Sequence, residues 1–409
     1  MKKVVLLTTA FPYGTGENFI PAELNSLPDG IKLDVVPFLY KKNDEKRNVT
    51  EKVNVIDDCR VAGNKLSVII NTMRVLLNSD FWHEVKKDKS MSFKSFRQKL
   101  GFYGRAIELY RKLRKRYVFE LKEKSVTFYS YWLLEGAYAA SLLEKEYGVN
   151  ACSRAHGVDV WNGMSAYGVV PARQASLANL RSVYVCSQDG KKYLQQQNSR
   201  YADKFKVGYL GTQDYGWMPG DNREKEFVIV SCARIEPVKR VELLAGAIKR
   251  INDTKIHWIH FGDGSCRRAV DEAILNLPKN VRVTIMGTTP HDDVMAYYCK
   301  NPVNLFVNTS SSEGLPVSIM EVLSFGIPVV ATDVGGTREI VNDFTGTLIP
   351  SDFTEEYLTQ VIRTYMNQRG DIYAEKRAAA RGFWEDYFAA KINYKKFYET
   401  ITRENSHVV

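Results

Sequence analysis

Two glutamates with seven residues between them, Glu313 and Glu321, enclose a Gly314-Leu315-Pro316 run that leads from a polar loop into a helix. Pro316 suits the first helical position. The backbone N–H groups near Gly314, Leu315, Val317 and Ser318 would then gather at the positive end of a helix dipole, a natural seat for an anion. A carboxylate is a poor neighbour for phosphate but a good acceptor for hydroxyls, so Glu313 and Glu321 read as partners of a sugar or a ribose. Arg234 and Lys239 stand where a strand gives way to a helix start. Cations there oppose the dipole unless an anion justifies them. A planar fork and a point charge are the usual pair for pyrophosphate oxygens. His156, in Ser153-Arg154-Ala155-His156-Gly157-Val158-Asp159, ends a strand before a glycine turn and is the best single candidate for a polar catalytic contact. Gly262-Asp263-Gly264, Gly335-Gly336 and the Gly14 and Gly16 pair offer turns where backbone can approach a ligand closely. Taken one at a time, each feature also reads as a helix cap, a solvated basic loop or a satisfied loop histidine.

Parallel sheets are expected to position these groups. Short apolar runs alternate with helical patterns, with strands expected at 3–8, 33–37, 126–130, 150–153, 183–186 and 206–209, then at 227–232, 256–261, 281–285, 303–307, 328–331 and 347–349. Runs such as Phe227-Val228-Ile229-Val230 are apolar throughout, as when helices cover both faces. Residues 213–223 are rich in turn formers and read as a linker between a first domain, 1–212, and a second, 224–380. The tail 381–409 has an aromatic face that must pack on something, with the first domain as one option. The fold class expected is α/β: two Rossmann-like doubly wound domains facing a cleft. Ligands bind beyond the carboxyl ends of such strands, and the motifs fall there.

The chain has 409 residues, 57 Lys and Arg against 47 Asp and Glu, and a net charge of +10. Its 44% hydrophobic and 25% charged residues exclude a disordered tail, a fibre and a coiled coil. No apolar run approaches the ~20 residues of a membrane span. Met1-Lys2-Lys3 followed by Val4-Val5-Leu6-Leu7 reads as a first strand, not a signal peptide. Cys59, Cys152, Cys186, Cys232, Cys266 and Cys299 are far apart, which argues for reduced thiols and against a zinc ribbon. His257 and His260 fall on opposite faces of one strand and read as packing residues. There is no Asp-x-Asp, and no metal or other cofactor is expected.

Together the motifs resemble those of the retaining GT-B glycosyltransferases of family 4, and the resemblance covers nearly the whole chain. Glu313…Glu321 is similar to that family's E-x7-E. Phe128-Tyr129-Ser130-Tyr131-Trp132, Glu17-Asn18-Phe19-Ile20 and the His156 segment look like the branch that builds bacterial capsule, exopolysaccharide and lipopolysaccharide. In place of that branch's Glu-Thr-Phe this chain has Glu17-Asn18-Phe19. The resemblance implies that Arg234 and Lys239 neutralise the departing diphosphate. Glu321 would hold the ribose, Glu313 the transferred sugar, and His156 a donor-sugar hydroxyl. The amides of 314–317 and of Gly14–Gly16 would flank the diphosphate and sugar, with Gly262 in a turn facing them, and Thr289 would lie near the base. The implied activity is transfer of a hexosyl or N-acetylhexosaminyl group, from a UDP-sugar by preference, to a glycan or lipid-linked saccharide, with retention and without a metal. Arg, Lys and a helix N-terminus aimed at the growing phosphate charge would be electrostatic catalysis. A glycogen- or sucrose-type synthase, or a phosphorylase, is the alternative on the same fold.

The net charge is concentrated. Residues 84–124 hold nine Lys and five Arg against five acids, a net +9. Phe96, Leu100, Tyr103, Ile107, Tyr110, Tyr117 and Leu121 recur at helical spacing within them. Two readings remain open: a basic amphipathic helix on an anionic membrane, with Arg111, Lys112, Arg114 and Lys115 as contacts, or a helix packed on the first domain with its cations in water. Charge confined to one segment, with no base-stacking motif, argues against nucleic acid as a partner. The expected location is the cytoplasm, with the membrane reading adding attachment at the inner face.

Overall fold

The computed structural model describes residues 2–14, 16–61, 65–88, 91–217, 220–221 and 223–403, with the backbone alone at 65–67. Thr15 of the glycine loop, Lys89 of the basic segment, Met218, Pro219 and Asn222 of the expected linker, and the end of the tail from 404 lie outside the described residues. The chain divides into two compact units, Met1–Tyr209 with Asn393–Val409, and Leu210–Ile392.

Unit 1 holds seven strands among the described residues: β1 Lys2–Thr8, β2 Ile31–Pro37, β3 Val53–Val55, β4 Val126–Ser130, β5 Asn150–Ala155, β6 Ser182–Val185 and β7 Phe205–Val207. They form one parallel sheet in the order β3-β2-β1-β4-β5-β6-β7. Unit 2 holds β8 Phe227–Cys232, β9 Ile256–Phe261, β10 Val281–Gly287, β11 Leu305–Asn308, β12 Val329–Thr332 and β13 Gly346–Ile349, in the parallel order β10-β9-β8-β11-β12-β13. Both sheets are doubly wound, as expected. In each the strand order reverses beside the unit's first strand, between β1 and β4 and between β8 and β11, where such sheets hold ligands. Val4 to Leu7 of β1 and Phe227 to Val230 of β8 are all buried, so the continuous apolar runs are explained by helices on both faces. The edge strand β3 was not expected; three residues carry too little pattern to read.

The domain limits differ from the expected ones. Residues of the expected linker belong to unit 2, where Asp214 pairs with Arg381 at 2.7 Å; so does Thr212, expected in the first domain, whose Oγ1 accepts from Trp384 Nε1 at 2.7 Å. The tail is divided. Its part up to Ile392 stays in unit 2, while Phe397, Tyr398 and Ile401 are buried in unit 1. An ionic cluster holds that last segment there. Arg154 of β5, fully buried, lies 3.9 Å from the Phe397 ring centroid, donates to Tyr129 Oη at 2.7 Å and to the Gly208 carbonyl at 2.6 Å, and sits 3.8 Å from Glu23.

Four helices of unit 1 matter below: α1 Ile20–Asn25, α2 Lys65–Leu76, α3 Ser79–Lys87 and α4 Phe93–Arg116. The apolar stripe of the basic segment is core, which corrects the reading of α4 as an interfacial helix. Tyr103 and Ile107 are buried, as are Tyr117 and Leu121 just beyond α4, and Tyr103 packs edge-on to Phe81 and Tyr138. Many of the cations are engaged. Lys99 pairs with Glu84 and Asp88, Arg105 with Glu135, Arg114 with Glu146 and Arg116 with Asp58. Lys112 donates to the Arg60 carbonyl. Of the four expected membrane contacts, Lys112 and Arg114 are thus bonded within the unit, while Arg111 and Lys115 are exposed.

Candidate functional site

In unit 2 the candidate residues come together at the carboxyl ends of β8 and β11. β8 runs into Ala233–Arg240, whose short 3-10 turn Pro237–Lys239 brings Lys239 toward β11. β11 runs through Asn308, Thr309 and Ser310 into Glu313. Lys239 Nζ lies 2.6 Å from Glu313 Oε1, and the same oxygen accepts from Ser310 Oγ at 2.6 Å and Asn308 Nδ2 at 3.3 Å. Three donors on one oxygen fix the carboxylate and leave Oε2 outside that set. Pro316 caps the helix Val317–Ser324, so the amides of Val317 and Ser318 open its N-terminus beside Gly314 and Leu315. Glu321 sits one turn before the helix end.

Glycine is demanded by contact at two places. A Cβ on Gly262, at φ +142°, would stand 1.9 Å from the Ala233 carbonyl oxygen, and one on Gly335 would stand 1.9 Å from that of Glu313. The turns after β9 and β12 therefore press on the loops that carry Arg234 and Glu313. Arg234 itself is not brought to the pair. Its side chain is 81% exposed and bonds Glu236 at 2.8 Å. Thr289 follows β10 and donates to the Gly287 carbonyl at 3.2 Å. His257 and His260 are satisfied packing residues, bonded to Thr284 and Ser231.

The sequence reading missed His291. Its Nε2 lies 2.8 Å from Glu321 Oε1, and that bond pushes the imidazole pKa up from 6.5. The signal was its place two residues after Thr289, opening the helix His291–Lys300. A raised folded-state pKa contributes stability that is complete below 6.5 and is lost as pH rises through the folded value. Thermal unfolding of wild type and His291→Gln should therefore differ most in acid and converge in alkali; a gap independent of pH would contradict the pairing.

In unit 1 the candidate is His156, which follows β5. Its amide donates to Asp159 Oδ1 at 2.7 Å. The ring lies 4.7 Å from that of Tyr131, nearly parallel, and 4.6 Å from that of Trp132. The residue is 8% exposed; Nδ1 lies 4.0 Å from the buried Asp159 Oδ2, beyond hydrogen-bond distance, and Nε2 has no hydrogen-bond partner among the described residues. A buried polar atom without a partner calls for an explanation, and a ligand is one. The glycine loop differs from expectation. The Gly14 amide already donates to the Glu45 carbonyl at 2.9 Å, and the Gly16 carbonyl accepts from Arg47 at 2.5 Å. Gly14 therefore has no free N–H for a diphosphate.

Residues 219–382 match the family described as Glycosyl transferases group 1. Among curated proteins, the chain is 26% identical over 135 residues to the UDP-N-acetylglucosamine–peptide N-acetylglucosaminyltransferase GtfA subunit of Streptococcus agalactiae, covering 32% of this chain and 26% of that protein. It is 26% identical over 174 residues to the O-antigen biosynthesis glycosyltransferase WbnH of Escherichia coli, covering 42% and 47%. The matches thus span from about a quarter to under half of these relatives. Among solved structures, sucrose-phosphate synthase from Thermosynechococcus elongatus superposes with a TM-score of 0.72 at 16% identity over 100% of both chains. Anabaena Alr3699/HepE in complex with UDP gives 0.67 at 16%, over 98% and 99%. The fold is GT-B.

Proposed function

We propose that this chain is a retaining glycosyltransferase that moves a sugar from a UDP-sugar to a glycan or lipid-linked saccharide in cell-surface polysaccharide synthesis. The observation that carries the reading is the Lys239–Glu313 pair beside the N-terminus of Val317–Ser324, at the strand reversal of unit 2. Lys239 and the amides of Val317 and Ser318 meet the diphosphate, and Arg234 exchanges its exposed bond to Glu236 for the phosphate. Glu313 accepts from the sugar and Glu321 from the ribose. The sugar becomes oxocarbenium-like as its bond to phosphate breaks, and the preset positive groups stabilise the leaving charge. His156 bonds a sugar hydroxyl through a ring nitrogen. The relatives' names, which include a UDP-N-acetylglucosamine enzyme and an O-antigen enzyme, support the donor and product classes. UDP at a hundred times its Kd should stabilise the protein by about 2.7 kcal/mol. A melting panel of UDP, GDP and UDP-sugars checks this, and a chain stabilised by none of them lacks the site. The anomeric configuration of the product tests retention, and turnover unaffected by a chelator is expected.

An anionic membrane is the proposed location of the acceptor. No helix among the described residues is long and apolar enough to cross a bilayer. The exposed apolar face belongs to α2: Ile69 is 57% exposed, Met73 64% and Leu77, just past its end, 88%. These positions share one side of the helix. Arg97 shares a groove with Val68, and Arg74 and Lys145 share one with Leu77, so cations rim the apolar face. Apolar contact and basic rim together suit anionic lipid. The protein should sediment with phosphatidylglycerol vesicles and be released by salt. Ile69→Glu with Met73→Glu should abolish this, and binding unchanged in that variant would refute the face.

A further inference from the structure

β1 ends in three successive backbone N–H groups that converge on one point. The amide of Thr9 reaches Glu17 Oε1 at 3.1 Å, and those of Ala10 and Phe11 reach Oε2 at 2.9 and 2.7 Å. Converging amides of this kind form an anion-binding nest. Here the anion is the chain's own carboxylate. A fourth donor, Trp132 Nε1, reaches Glu17 Oε1 at 2.7 Å. Glu17 adopts φ +55°, which a residue with a side chain rarely keeps unless its surroundings hold it there. Arg47 clamps the far side of the loop, with its guanidinium 4.8 Å from the Phe11 ring centroid and bonds to the Pro12 and Gly16 carbonyls and to Asn18.

The consequence lies one contact further on. The indole that Glu17 holds lies against His156, and Phe19, two residues beyond Glu17, stacks on Tyr131 at 5.5 Å, which in turn stacks on His156. The loop after β1, the segment after β4 and the turn after β5 thus meet at the imidazole, whose Nδ1 lies 4.0 Å from Asp159 Oδ2 and whose Nε2 has no hydrogen-bond partner among the described residues. We propose that Glu17 is a positioning residue: it fills the nest behind β1 with an internal carboxylate and, through Trp132, sets the His156 ring for its sugar contact. A ligand phosphate therefore does not occupy this nest, and Lys239 with the helix Val317–Ser324 carries the diphosphate. The role of His156 rests on the proposed glycosyl transfer; the filled nest does not.

Glu17→Ala and Glu17→Gln separate this role from a merely structural one. In Glu17→Ala the nest keeps its four donors, with Arg47 nearby, and should admit acetate or formate. In Glu17→Gln the site stays filled, but the amide NH2 faces either N–H donors of the loop or the Trp132 indole. With UDP-glucose and UDP-N-acetylglucosamine as donors, both variants should lose turnover about 10²-fold, with donor KM changed by about twofold or less, as expected when a group is misplaced near the chemistry. Acetate, against chloride at equal ionic strength, should restore about tenfold of that loss in Glu17→Ala and none in Glu17→Gln. It should also raise the melting temperature of Glu17→Ala alone. Turnover of Glu17→Gln equal to wild type, or acetate acting on Glu17→Ala no more than on wild type, overturns the proposal. If Glu17→Ala does not fold, Trp132→Phe removes the indole donor while keeping an aromatic ring, though a smaller one, beside His156; a fall in kcat at unchanged KM is expected, and an unchanged kcat overturns the proposal. If wild type turns over no donor, glycosyl transfer falls, and acetate-dependent melting still decides whether Glu17 fills the nest.

Discussion

Replacing Lys239 by Ala should lower turnover about 10²–10³-fold, the loss seen when one preset donor to a developing anion is removed. UDP affinity should fall with it, because the Glu313 carboxylate, still held by Ser310 and Asn308, would then face the diphosphate without a counter-charge. Glu313→Gln should act in the opposite direction on binding. Its amide oxygen can still accept from Ser310, but it no longer neutralises the ammonium 2.6 Å away, so UDP should bind more tightly while turnover falls. The double variant should bind UDP better than Lys239→Ala alone, a coupling that a double-mutant cycle reads directly. Because the Lys239 side chain is 24% exposed and that of Glu313 only 10%, removing the cation should also lower the melting temperature, so binding and turnover are compared where every variant is folded. Titration calorimetry with UDP and donor hydrolysis rates measure both effects. Equal UDP affinity in all three proteins would remove Lys239 and Glu313 from the donor site.

The second large effect is on stability. Arg154→Met should cost about 3–5 kcal/mol, because it leaves Glu23 buried without its cation. For a unit of this size that is a fall in melting temperature of roughly 10 °C. Burial already pushes the Glu23 pKa up, and Arg154 is the main opposing influence. A carboxyl whose folded pKa is raised contributes most below its unfolded value and loses that contribution as pH rises through the folded one. The deficit of Arg154→Met should therefore shrink in acid, where Glu23 takes a proton, and Glu23→Gln should recover part of it at neutral pH. Thermal unfolding followed by circular dichroism across pH checks both. A deficit under about 1 kcal/mol, typical of an exposed pair, would show that the cluster is not what holds the last helical segment on unit 1.

The two cases differ in how much could be read beforehand. Lys239, Glu313 and Glu321 were legible because strand ends in a doubly wound sheet are readable. β8 and β9 were expected at 227–232 and 256–261, the limits they have. Once the strands are placed, whatever follows them is near the ligand site. Arg154 was legible only as a neighbour of His156. That it bonds Tyr129, contacts Glu23 and lies on Phe397 depends on segments far apart in the chain. The basic segment was legible as a helix but not as a surface, since periodicity shows that a stripe is buried and not what buries it. Tyr138 and Phe81 cover Tyr103, while the face left open belongs to α2.

The sequence by itself determined the alternation of strands and helices, the doubly wound class and the loops that carry the charged groups of unit 2. These follow from local patterns of apolar residues, glycine and proline, each written within a few positions. Only the tertiary structure decided which charges meet. It paired Lys239 with Glu313 and His291 with Glu321, left Arg234 in solvent, and turned Glu17 inward to fill the nest that a phosphate could have taken. Hydrogen bonds and ion pairs act over about 3 Å, and partners far apart in sequence come within that range only when the sheets set their strand ends side by side.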